Sequence, residues 1–229
     1  MRLPLRQIPE AACSGSSWAY GDGSHDRLPG ASHAGRALLR PLSMMGYADR
    51  QLELPSEEQY AAALGPPLFL TLTLLLAHLW ATALGETDRL VATRRGLAGM
   101  INDDSSALIF RLLVFSIFAL LMSLHFVWRR GLPVDRATLR LPFYARCYPA
   151  AVFALLLGSG SILAGMGGTP AMLSGAGVMG CALILYLIVE ARWFAIQFDT
   201  GFSGAGLTAL AAIGEGLGLL LAIALILDF

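Results

Sequence analysis

After residue 65 the chain is dominated by five apolar runs, each close to the length a helix needs to cross a bilayer. They are Pro67–Leu84, Ala107–Trp128, Ala150–Met166, Ala171–Phe194 and Leu207–Leu227. About 20 mainly apolar residues span the hydrocarbon layer at 1.5 Å per residue. In lipid every backbone group must find its partner within the protein, and a helix meets that demand by itself. The expected fold is therefore all-α, a polytopic bundle of five transmembrane helices. The third run is shorter and richer in glycine than the others. Pro66, Pro67, Pro149 and Pro170 stand at or near the starts of the first, third and fourth runs. Proline is tolerated there because the first helical N–H groups have no internal acceptor.

Charge supports the bilayer as solvent. Charged residues make up 14% of the chain, against about 25% in a soluble domain. The expected organisation is a polar, largely disordered leader over residues 1–65 and a transmembrane domain over residues 66–229. All 16 basic residues are arginine, a usage we read as codon bias in a GC-rich genome. Formal net charge is zero, so no global basic field points to nucleic acid. Cys13, Cys147 and Cys181 are widely spaced and odd in number, which gives neither a disulfide framework nor a zinc site. Cys181 reads as a small core residue.

Residues 1–43 lack helical or strand periodicity and are expected to be disordered. No apolar stretch of secretory type precedes Pro66, and Glu10, Asp22 and Asp26 do not suit a mitochondrial transit peptide. Texture changes at Met44–Met45, so translation starting there, with residues 1–43 as upstream sequence, is a further expectation. Gly46 does not make a myristoylation site, because Arg50 occupies the position of the required Ser or Thr.

Arginine counts beside the runs set the orientation. Arg36, Arg40 and Arg50 precede the first run. Arg129, Arg130, Arg136, Arg140 and Arg146 lie between the second and third, and Arg192 closes the fourth. Five spans put all of these on one side. Arg89, Arg94 and Arg95 on the other side are diluted by Glu86, Asp88, Asp103 and Asp104. The N-terminus is expected in the cytosol and the C-terminus outside.

The segment Arg129–Pro149 interleaves its arginines with Leu141, Phe143, Tyr144 and Tyr148, a pattern suited to the headgroup layer. Arg129, Arg130, Arg136, Arg140, Tyr144, Arg146 and Tyr148 are therefore candidate contacts to protein or lipid partners. A purely topology-setting loop is the plainer reading.

Ionisable residues inside the runs are the other candidates. Arg111, His125, Glu190 and Arg192 lie close enough to run ends to reach the interface. His78 and Glu215 lie near the midplane, where we expect them to face the bundle interior as a polar pair. Gly160–Ala164, Ala176–Gly180 and Gly214–Gly218 have the spacing that lets helices approach closely.

Catalytic patterns do not emerge. Ser159 and Ser161 have no histidine placed to act as base, and metalloprotease, P-loop and dinucleotide-binding motifs are missing from the sequence. Asn102–Asp103–Asp104 reads as the cap of the second span, with Asp104 or Ser105 suiting the N-cap.

Several residues together carry a family resemblance. Leu64-Gly65-Pro66 enters the first run. Arg130-Gly131, then Asp135-Arg136-Ala137-Thr138-Leu139-Arg140, Tyr144 and Tyr148-Pro149 lead from the second run to the third. Glu190-Ala191-Arg192 ends the fourth. With a polar leader before five runs, this resembles the Yip family of Ypt/Rab-interacting-type membrane proteins in its bacterial-type members. The resemblance covers residues 64–229. Ala63-Leu64 replaces the acidic-aromatic step of eukaryotic members, and no Rab-binding residue carries over.

The resemblance implies a non-enzymatic role in membrane organisation or in binding protein or lipid partners. The expected location is the bacterial inner membrane. The alternative is a small-molecule or ion permease using His78 and Glu215. No cofactor, metal or catalytic residue is expected.

Overall fold

The computed structural model describes residues 35, 37, 39–55, 59, 64–84 and 104–227. Among them are six helices and no strand: α1 Pro41–Glu53, α2 Pro66–Ala83, α3 Asp104–Arg129, α4 Arg136–Gly165, α5 Thr169–Phe198 and α6 Phe202–Leu227. The last five are long and apolar enough to cross a membrane. Outside the described residues lie most of the leader, residues 85–103 with Arg89, Arg94 and Arg95, and the C-terminal Asp228–Phe229.

Short connections make α3, α4, α5 and α6 sequential antiparallel neighbours. Each turn has a local cause. Gly131, at φ 64°, closes α3. Its N–H donates to Trp128 O and that of Leu132 to Val127 O, the double bond of a glycine C-terminal cap. Gly167 and Gly168 adopt φ 86° and 80° between α4 and α5, where a side chain would be strained. Asp199, at φ 48°, ends α5.

A reciprocal cap fixes the start of α4. The Asp135 carboxylate accepts the Thr138 N–H at 2.8 Å, and the Asp135 N–H donates to Thr138 Oγ1 at 3.1 Å. The Thr138 backbone bond holds the Asp135 carboxyl below the usual aspartate range. This cap overturns the expectation of a loop over Arg129–Pro149. Only residues 130–135 are non-helical there, and the third span is a 30-residue helix, not a short one. Pro142 and Pro149 lie inside it, leaving Thr138 O and Ala145 O without the usual donor.

α4 is the hub. With α2 and α3 it buries Leu70, Leu74, Phe115, Ala119, Ala150, Ala151 and Ala154. A second core joins α3, α5 and α6 through Phe118, Met122, Phe126, Tyr186, Phe194, Ala209 and Ile213. The third lies under α1, whose Met44, Met45 and Ala48 pack on Ala145, Tyr148 and Trp193 of α4 and α5. Residues 41–53 of the leader are thus an amphipathic helix docked on the bundle. The reading of Met44–Met45 as a start falls on two buried residues of that helix.

Small residues set one close approach. A Cβ on Gly175 of α5 would stand 2.5 Å from both Ala164 N and Gly160 O of α4. The Gly160–Ala164 spacing is therefore a helix contact. Gly180, Gly214 and Gly218 face open space, while Gly216 receives the Phe118 ring. Cys181 is exposed rather than a core residue, and Cys147 is buried.

Candidate functional site

The seven candidate contacts of the Arg129–Tyr148 segment separate into three groups. Two leave the surface altogether. Arg146 is fully buried, and Tyr148 is buried with its hydroxyl donating to Leu64 O at 3.2 Å. Both face inward because α4 is helical through this stretch, and the helix turns Ala145, Arg146 and Tyr148 toward α1, α3 and α5.

Arg129 and Arg130 are exposed but serve the fold. Arg129 Nη1 donates to Thr208 Oγ1 at 2.9 Å, and its guanidinium lies 5.2 Å from the Phe198 ring centre. Arg130 Nη2 donates to Gln197 Oε1 at 2.8 Å, with its guanidinium 4.7 Å from the Phe126 ring centre. Together they tie the end of α3 to α5 and α6.

Arg136, Arg140 and Tyr144 form the third group. They follow one another at four-residue spacing, on one face of α4. Arg140 stacks 5.5 Å from the Tyr144 ring centre and donates to Gln59 Oε1 at 3.2 Å. Arg136 has no hydrogen bond or ion pair with any described residue. These three side chains line one end of an open groove of about 890 Å³ between α3 and α4. Leu113, Ser116, Ile117 and Leu120 line its α3 wall. Among the described residues no acid lines it.

The fully buried ion pair was not foreseen. Arg146 Nε lies 3.3 Å from Glu190 Oε2, and neither side chain is exposed. The guanidinium lies beside both the Phe126 and Phe194 rings, 5.2 and 5.0 Å from their centres. The two rings are themselves in contact at 6.5 Å and tilted by 46°, so the cation gains from two aromatic neighbours on adjoining sides. Arg146 Nη1 donates to Pro142 O at 3.1 Å. Among the described residues, Arg146 Nη2, Glu190 Oε1 and the Tyr186 hydroxyl, one helical turn before Glu190, have no hydrogen-bond partner, and Glu190 Oε2 meets only Arg146 Nε. Glu190 thus does not reach the interface as the sequence suggested. The signal was available in principle, since Glu190 follows Tyr186 at helical spacing, but its partner on α4 could be assigned only once residues 136–149 were known to be helical.

His78 and Glu215 do not form the expected pair. His78 lies on the α2 face that also buries Pro66, Leu70 and Leu74. Glu215 meets His125 instead, with Oε1 3.5 Å from Nε2, and its side chain is 52% exposed. His125 Nδ1 lies 3.1 Å from Leu121 O, to which it can only donate. Nε2 then carries a proton only in the imidazolium form, so the contact joins either two charges or a protonated glutamic acid and a neutral ring. Arg111 is half-buried and Arg192 exposed. Ser159 donates to Leu155 O at 2.8 Å. Among the described residues no cluster of three His, Cys, Asp or Glu side chains could hold a metal.

Five long apolar helices, with α2, α3 and α5 packed on α4 and α6 on α3 and α5, define an integral membrane protein by length and composition. No family model, curated protein or solved structure matches the chain.

Proposed function

We propose that this is a non-enzymatic membrane protein of the bacterial inner membrane, Yip-like in plan, that binds protein or lipid partners at its basic cytosolic end. The observation that carries the reading is the exposed pair Arg136 and Arg140 at the start of α4. Arg129, Arg130 and Arg192 are exposed at the same end of the bundle, and Arg50 is exposed on the helix docked there. Arginine concentrated at one end of the spans favours the cytosolic side for that end, and basic side chains there attract anionic surfaces. The resemblance in residues 64–229 supports the same role. The permease alternative loses its basis as a pair, since Glu215 meets His125 and His78 lies on α2.

The test is crosslinking in intact membranes. The protein carrying Arg136→Gln and Arg140→Gln should fold normally, because both side chains are exposed. Recovery of its crosslinked species should fall at least about tenfold, given about 1 kcal/mol per basic residue near an anionic surface. A crosslinking pattern identical to that of the unaltered protein would contradict the proposal.

A further inference from the structure

The groove between α3 and α4 changes character along its length. One end carries Arg136 and Arg140, with the Tyr144 ring beside them. The α3 wall is formed by Leu113, Ile117 and Leu120, which recur at helical spacing and so share one face. Leu113 and Leu120 are 53% and 44% exposed, so the protein itself leaves this wall uncovered. Measured from Arg129, Leu120 lies about 14 Å and Leu113 about 24 Å along α3. The wall therefore lies at the depth of the hydrocarbon layer, while the arginines lie in the first turns of α4.

We propose that this groove binds one anionic glycerophospholipid, with its phosphate on Arg136 and Arg140 and an acyl chain along Leu113, Ile117 and Leu120. The inference rests on the partner-binding reading above and names the ligand class of that site. Charge complementarity decides the headgroup, because two cations and, among the described residues, no acid line the groove. A guanidinium pairs with phosphate oxygens through two parallel N–H bonds, and Arg136 has no competing partner among the described residues. The open apolar wall decides the rest. A soluble protein segment would have to enter the bilayer to reach Leu113, whereas an acyl chain is already there. A tyrosine at the boundary suits the headgroup level. Asp135, the nearest acid in sequence, is occupied in capping α4.

The experiment uses the full chain in mild detergent, with phosphatidylglycerol and phosphatidylcholine of identical acyl chains added in equal amounts. Bound lipid is counted by native mass spectrometry. The unaltered protein should retain phosphatidylglycerol in preference by about tenfold or more. Arg136→Gln/Arg140→Gln should abolish the preference. Ile117→Trp, which fills the wall without touching the arginines, should reduce retention of both lipids severalfold.

If the arginine variant loses the preference but Ile117→Trp changes nothing, the basic end attracts anionic headgroups without a groove site, and this inference falls while the partner-binding reading stands. If inorganic phosphate displaces the lipid as well as phosphatidylglycerol does, the acyl contact is disproved. Should neither variant alter lipid retention while crosslinking in membranes is also unchanged, both readings fall together.

Discussion

Glu190→Leu, with Arg146 left in place, is expected to destabilise the detergent-solubilised protein by about 3–5 kcal/mol, the range for stranding a buried charge. The cause is geometric. Arg146 is fully buried beside Phe126 and Phe194, and among the described residues Glu190 is the carboxylate within ion-pair distance of it. Without Glu190 a buried guanidinium loses its ion-pair partner, and arginine keeps its proton. The pair itself is a weak source of net stability, because both groups were desolvated to form it. Arg146→Leu/Glu190→Leu should therefore recover most of the loss.

Arg146→Lys should not be benign, since an ammonium cannot keep the guanidinium's contacts with two rings, Glu190 and Pro142 O at once. Denaturant or thermal unfolding of the four proteins in one detergent reads these differences. Equal stability of Glu190→Leu and the unaltered protein would show that the pair is not buried as described.

Gly175→Ala carries the second large effect. Its Cβ would lie 2.5 Å from backbone atoms of α4 at Gly160 and Ala164, where no flexible side chain can move aside. α4 and α5 must separate, and overpacking of this kind costs about 1–3 kcal/mol. The effect should also loosen the enclosure of Arg146, because Glu190 rides on the same helix. Gly177→Ala is the control. Nothing lies within 4 Å of its Cβ position, so alanine should be neutral or stabilise α5 by up to about 1 kcal/mol through helix propensity. Two variants of equal stability would remove the close α4–α5 approach from the account.

Much of the scaffold was legible because lipid leaves a chain few choices. Long, mainly apolar runs read directly as helices, and all five appear, with bounds that differ mainly by lengthening. The first run and α2 agree to within one residue, since Pro66–Pro67 marks the start. On sequence alone the third run is short, because Pro149 looks like a helix start. The cap that starts α4 lies earlier, at Asp135 and Thr138, and two prolines then sit inside the helix. A capping pattern in a basic segment is a weaker signal than a proline beside an apolar run, and it was outweighed.

That one boundary decided the site. Reading residues 136–149 as loop placed Arg146 and Tyr148 at the surface. As helix they turn inward, while Arg136 and Arg140 stay outside. The polar pairs were equally dependent on geometry. Sequence depth alone matched His78 with Glu215, but pairing requires helices that touch. α6 packs on α3 and α5, which brings Glu215 to His125. The leader was read by its irregular composition, and the buried Met44, Met45 and Ala48 face of α1 is too short to stand out from it.

If five helices cross the bilayer with the arginine-rich end of α4 in the cytosol, the two ends of α5 must face opposite sides. Val134→Cys, Met166→Cys and Thr200→Cys, each in a chain whose Cys13, Cys147 and Cys181 have been replaced by alanine, test this with a membrane-impermeant thiol reagent. Met166 is 71% exposed and has an ordinary φ of −65°. In intact cells only the cysteine at position 166 should be labelled. In inside-out vesicles only those at 134 and 200 should be. Labelling at 166 from the same side as 200 would mean that α5 does not cross the membrane, and the five-span architecture with its cytosolic basic end would be wrong.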